Sequence, residues 1–165
     1  MRKHLIVFAM SALVVLVASA GRASAQTTAF DASIENQILR PVGCPDGAYL
    51  CGDADIAGFG SARFRWYLVS FEPTSETCGN YVATVTLALG DGSTLTLDEA
   101  GTDCSPGNSF SSYPRHSYGQ PQSADGNWVV QGGTGVFAGL TGSGTNTLRI
   151  TGARLTAKYT GTLTD

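Results

Sequence analysis

Arg63, Arg65 and Tyr67 stand at alternate positions, and in a β-strand that spacing puts all three on one face. Turned toward a cavity, two guanidiniums and a phenol would bind an acid or polarise a carbonyl. The other face of the same run carries Ala62, Phe64, Trp66 and Leu68. The apolar face of a half-buried strand ordinarily meets the core, so this pattern makes the arginines solubilising. Tyr113, His116 and Tyr118 form a second group, within a stretch rich in Ser and Pro. Aromatic side chains there suit either a lid over an apolar ligand or a staple holding the loop to the outside.

Other chemistries lack their parts. A serine hydrolase needs Ser, His and Asp in concert, yet beyond the N-terminal segment the sole histidine is His116, and no G-x-S-x-G elbow occurs. Glu72, Glu76, Asp98, Glu99 and Asp103 lie near the ends of strand-like runs, where solvated acids are usual. Nothing singles out a pair as the opposed carboxylates of a glycosidase. Asp53-Ala54-Asp55 lacks the remaining spacing of a calcium loop and reads as surface acids. No C-x-x-C or H-x-x-x-H spacing indicates a zinc site, so no metal is expected.

The N-terminus explains where such a chain would work. Met1-Arg2-Lys3-His4 is a short basic start, an apolar run follows from Leu5 to about Ala20, and Ala23-Ser24-Ala25 is an A-x-A site. That is the pattern of a secretory signal peptide, and the apolar run is shorter than the roughly 20 residues that span a bilayer. Cleavage after Ala25 would leave residues 26–165 as one domain, exported and with no membrane anchor. The whole chain has 10 Lys+Arg against 13 Asp+Glu; the leader holds Arg2, Lys3 and Arg22 and no acid, so the remainder carries a net charge of about −6. A modestly acidic surface argues against nucleic acid or anionic lipid as partners.

Four cysteines, Cys44, Cys51, Cys78 and Cys104, in a small exported domain read as two disulfides. Of the three pairings, Cys44–Cys51 with Cys78–Cys104 is favoured, because each bridge closes a local loop. Cys78 and Cys104 also flank a hairpin predicted from Tyr81–Leu89 and Ser93–Asp98 around Gly90-Asp91-Gly92.

The elements that must position these groups are strands. Alternation predicts further strands at 28–39, 59–71, 128–131, 144–150 and 153–163, with a tight turn at Thr151-Gly152. Residues 105–126, with Pro106, Pro114 and Pro121, read as one long loop. Seven or eight short strands indicate a sandwich or a barrel, and abundant Gly and Thr favour a bent sheet closing on itself.

Residues 132–144 read GGTGVFAGLTGSG after Trp128-Val129-Val130-Gln131. With the LGDGSTLTL run at 89–97 and the flanking cysteines, this resembles the dirigent and allene oxide cyclase-like barrels, including exported bacterial members. The glycines permit backbone turns closed to other residues, so Phe137 would fold back and plug one barrel end. The resemblance implies an eight-stranded antiparallel barrel, a trimer, and an apolar ligand or reactive intermediate held inside without a cofactor. Trp128 and Phe137 then join Arg63, Arg65, Tyr67, Tyr113, His116 and Tyr118 as candidate ligand-binding residues.

Three functions are thereby expected to compete. A binding barrel needs a cavity on the order of a few hundred Å³. A cofactor-free cyclase or isomerase needs converging polar groups with a perturbed acid. An interaction or structural protein of the cell envelope would show an exposed apolar patch or a free sheet edge.

Overall fold

The computed structural model describes residues 25–37, 44–105, 121–151 and 154–165. Eight strands run in chain order: β1 (Thr27–Gln37), β2 (Leu50–Ile56), β3 (Gly60–Pro73), β4 (Cys78–Leu89), β5 (Thr94–Cys104), β6 (Gln122–Gly133), β7 (Thr141–Thr151) and β8 (Arg154–Thr164). Each pairs antiparallel with its neighbour, and β8 returns to β1, so the sheet closes into a barrel without an edge. The expected closed eight-stranded fold is the fold observed.

Alternation decides what faces in. On β4 the buried positions are Tyr81, Ala83, Val85 and Leu87, and on β8 they are Leu155, Ala157, Tyr159 and Leu163. Charges such as Asp31, Lys158, Arg63 and Arg149 sit on the outer face, the reverse of a barrel that meets lipid with its outer surface. Among the described residues no helix is long and apolar enough to cross a membrane.

Two elements depart from the expectation. Where strand β2 runs, the sequence predicts only surface acids at Asp53-Ala54-Asp55. In the barrel Ala54 points in while both aspartates lie exposed, so two charges mask an alternating strand. Strand β6 begins at Gln122, six residues before the expected Trp128, because Ser123 to Asn127 pair with β5 on one side and β7 on the other. Loop-like composition yields there to two complete ladders. The tight turn expected at Thr151-Gly152 falls partly outside the described residues, as does the expected leader.

The barrel has unlike ends. At one, the 3-10 turn Gly135–Phe137 folds back, and Phe137 is fully buried against Phe59, with ring centroids 4.8 Å apart. Burying that ring contributes about 2–3 kcal/mol, and it closes this end as the glycine-rich segment predicted. At the other, where β1 leads to β2, β3 to β4, β5 to β6 and β7 to β8, both disulfides lie. Cys78 and Cys104 are direct cross-strand partners with Cα atoms 4.1 Å apart, and Cys44 joins Cys51 at the start of β2. Two disulfides belong to a non-reducing, extracytoplasmic environment.

Trp128 fills the middle of the barrel because two inward positions beside it are glycine. A Cβ on Gly144 would stand 2.5 Å from Trp128 Cζ2, and one on Gly161 2.6 Å from the same atom. Both would also press on backbone carbonyls of the neighbouring strand. Gly144→Ala should therefore lower stability by about 3 kcal/mol, a fall in Tm of about 10 °C. Thermal unfolding followed by near-UV circular dichroism checks this, and a shift within about 1 °C would show that the Trp128 packing has more slack than these distances allow.

Candidate functional site

The two buried carboxyls inside the barrel both come from β5. Its inward positions continue the phase of Leu95 and Leu97 to Glu99, Gly101 and Asp103, so two carboxyls enter the interior on the register of an apolar strand. Their sequence context predicts solvated acids near strand ends, but in the structure both are buried. The signal was present in the sequence, since counting by two from Leu95 reaches Glu99 and Asp103.

Glu99 accepts three hydrogen bonds. Tyr81 Oη donates to Oε1 at 2.5 Å, Asn146 Nδ2 donates to the same oxygen at 2.7 Å, and Tyr159 Oη donates to Oε2 at 2.7 Å. Asn146 Nδ2 also donates to Tyr81 Oη at 3.1 Å, which ties β4, β5, β7 and β8 together across the interior. Gly126 leaves room for this cluster, because a Cβ there would stand 2.7 Å from Tyr81 Oη and 2.9 Å from Asn146 Oδ1.

Burial is the largest influence on the Glu99 carboxyl and raises its pKa above the ordinary glutamate value. Hydrogen bonds from Tyr81, Tyr159, Trp66 and Asn146 pull the other way without overcoming it. The Trp66 indole N–H thus faces the carboxyl closely enough to act on it, yet closes no hydrogen bond of ordinary geometry. Burial and the nearby Glu99 also push both phenols up, so Tyr81 and Tyr159 keep their protons. The group is a buried acid, raised above its ordinary value, between two phenols that keep their protons, and none of the described side chains bonded to it is a cation.

Above this cluster, at the disulfide end, lies a pocket. Asp103 and Gln122 form its polar side, Gln122 Nε2 donating to Asp103 Oδ2 at 2.5 Å. Desolvation raises Asp103 to about 6 despite that bond. Leu50, Ala124, Leu148 and Ile150 form the apolar side, and Tyr49, Trp66 and Tyr81 supply aromatic faces. Glu99 lies at the pocket floor. The cavity is about 20 Å³, room for a water or the end of a narrow chain, not for a whole drug-sized molecule.

The sequence-predicted candidates fall elsewhere. Arg63, Arg65 and Tyr67 lie on the outer face of β3, because Phe64 and Trp66 take the inner one. Arg65 has a structural task there: its Nη1 meets Asp46 Oδ2 at 2.5 Å and pins the loop closed by Cys44–Cys51. Trp128 is buried away from the pocket, its indole N–H donating to the Thr145 carbonyl at 3.1 Å, and Phe137 plugs the opposite end. Tyr113, His116 and Tyr118 lie outside the described residues, in the connection between β5 and β6. Among the described residues, no group of three or more His, Cys, Asp or Glu is placed to hold a metal ion.

No family model, curated protein or solved structure matches this chain.

Proposed function

We propose that this is an exported binding barrel that takes the end of a small, mainly apolar molecule into its disulfide-clamped mouth. The observation that carries the reading is one juxtaposition. An apolar wall of Leu50, Ala124, Leu148 and Ile150 leads down to Trp66, Tyr81, Glu99 and Asp103, where polar groups converge. A ligand would leave most of its body outside the sheet and place one small group at the floor. The leader and the two disulfides support export. The resemblance to dirigent and allene oxide cyclase-like barrels supports an apolar ligand and needs no cofactor, although the enclosed cavity is far smaller than a whole ligand requires.

A second reading, a cofactor-free cyclase or isomerase, is favoured by Glu99 itself. A carboxyl that holds its proton above the usual range, with Tyr81 and Tyr159 bonded to it, is suited to give and recover a proton during a rearrangement. A structural or interaction role has less behind it. The barrel has no free edge, and the large exposed apolar side chains among the described residues are valines, of which Val69, at the β3 bulge, and Val82, beside it on β4, are 65% and 42% exposed and form only a small patch.

Thermal shift tests the binding reading. Residues 26–165, produced by export with both disulfides formed, would be heated with uncharged, cationic and anionic molecules, each carrying a short apolar body. At least one class should raise Tm in the native protein and lose that effect in Ala124→Val, whose two added methyl groups fill the pocket. No shift with any class, or equal shifts in the filled variant, would overturn the mouth as a binding site.

A further inference from the structure

The mouth pocket contains two buried polar atoms that the protein itself leaves incomplete. Trp66, 6% exposed, has an indole N–H that faces Glu99 without closing a hydrogen bond of ordinary geometry, and Asp103, 5% exposed, has an Oδ1 that accepts none. Both side chains line the same cavity of about 20 Å³. Buried polar atoms left unpaired are destabilising, so an occupant that pairs them is favoured.

One atom is a donor and the other an acceptor, and this restricts the occupant. Asp103 Oδ2 is already engaged by Gln122, and the oxygens of Glu99 are engaged by Tyr81, Asn146 and Tyr159. The remaining demand is therefore one well-placed acceptor for the Trp66 N–H, which Glu99 meets only at poor geometry, and one donor for Asp103 Oδ1. An ammonium group donates but cannot accept, and it would leave Trp66 unpaired. An ether or ester oxygen accepts but cannot donate, and it would leave Asp103 unpaired. A carboxylate would bring a negative charge beside Asp103 and Glu99 with no cation among the pocket's residues. A hydroxyl has one proton to give and lone pairs to accept, so a single oxygen serves both.

Resting on the mouth-binding reading, we propose that the pocket recognises the terminal hydroxyl of a narrow-chain, uncharged alcohol. Its oxygen accepts from Trp66 Nε1–H and its proton points to Asp103 Oδ1. The carbon chain runs out along Leu50, Leu148 and Ile150. The small cavity excludes a bulky or branched head group.

A matched series tests this with one chain length and four ends: 1-hexanol, hexyl methyl ether, hexylammonium and hexanoate. Each is titrated at neutral pH into the disulfide-bonded protein while the methyl resonances of Leu50, Leu148 and Ile150 and the indole N–H resonance of Trp66 are followed. 1-Hexanol should saturate and move the Trp66 N–H signal, with the other three about ten-fold weaker or worse. Equal binding by the ether or by hexylammonium would overturn hydroxyl recognition while leaving the mouth as an apolar binding site. No binding by any of the four would also overturn it and leave the cavity to water. The thermal-shift comparison with Ala124→Val reports separately on whether the mouth binds anything.

Discussion

Glu99→Ala should cost about 4 kcal/mol, while Glu99→Gln should stay within about 1 kcal/mol of the native protein near pH 5. The difference lies in what each substitution leaves behind. Alanine strands the hydroxyls of Tyr81 and Tyr159 and the amide of Asn146 in a buried space where the carboxyl had accepted all three. Glutamine keeps an oxygen for Tyr81 and Asn146, and the Tyr159 hydroxyl turns to accept from its amide. Equilibrium urea unfolding of both variants checks this. Equal losses would mean that the cluster acts through shape rather than through hydrogen bonds.

The same carboxyls give the native protein an acid-side preference. Burial raises Glu99 and Asp103 above their ordinary values, Asp103 from 3.8 to about 6. The folded state therefore binds more protons than the unfolded chain between those two values. The contribution of Asp103 is full below about pH 4 and is lost as pH rises through about 6. A shift of about two pH units corresponds to up to roughly 3 kcal/mol, with Glu99 acting in the same direction. Stability near pH 5 should accordingly exceed that near pH 8. Glu99→Gln should flatten the profile by removing one of the two contributors.

Removing the Cys78–Cys104 bridge, as Cys78→Ala with Cys104→Ala, should cost about 3.5 kcal/mol, against about 2.5 kcal/mol for the Cys44–Cys51 pair. The first bridge spans 26 residues and the second 7, and the entropy denied to the unfolded chain grows with the logarithm of that span. The first also clamps β4 to β5 beside Asp103, so its loss should loosen the pocket rim as well as destabilise the fold. Urea midpoints of the two double variants, measured with the native protein, decide it. A larger loss from the shorter loop would show that native-state contacts, such as Arg65 with Asp46, outweigh loop entropy.

Much of the barrel was legible because strand physics is local. Alternation in β3, β4 and β8, the Asp-Gly hairpin and the glycine-rich segment around Phe137 each carry their own evidence, and together they favoured a closing sheet over a sandwich. Strand β2 was hidden because Asp53 and Asp55 occupy its outward positions, and the start of β6 because Ser123, Asp125 and Gly126 have the composition of a loop. The site was harder to see for a different reason. Arg63 and Arg65 have the residue types of a binding site but the wrong face, whereas Glu99 and Asp103 have the right face but the types of solvated acids. Residue type argued one way and phase the other, and in a barrel packed on its inside phase decides. Tyr81, Asn146 and Tyr159 had no local signal at all, since they meet Glu99 only after three different strands are brought around the closure.

The central claim, that the mouth holds a small molecule, is met most directly by native mass spectrometry of protein exported with its disulfides formed, compared with the denatured protein. The account predicts a reproducible added mass at one copy per chain that disappears on unfolding and is absent from Ala124→Val. The bare protein mass in the native spectrum, together with no Tm shift from any added class of molecule, would contradict it.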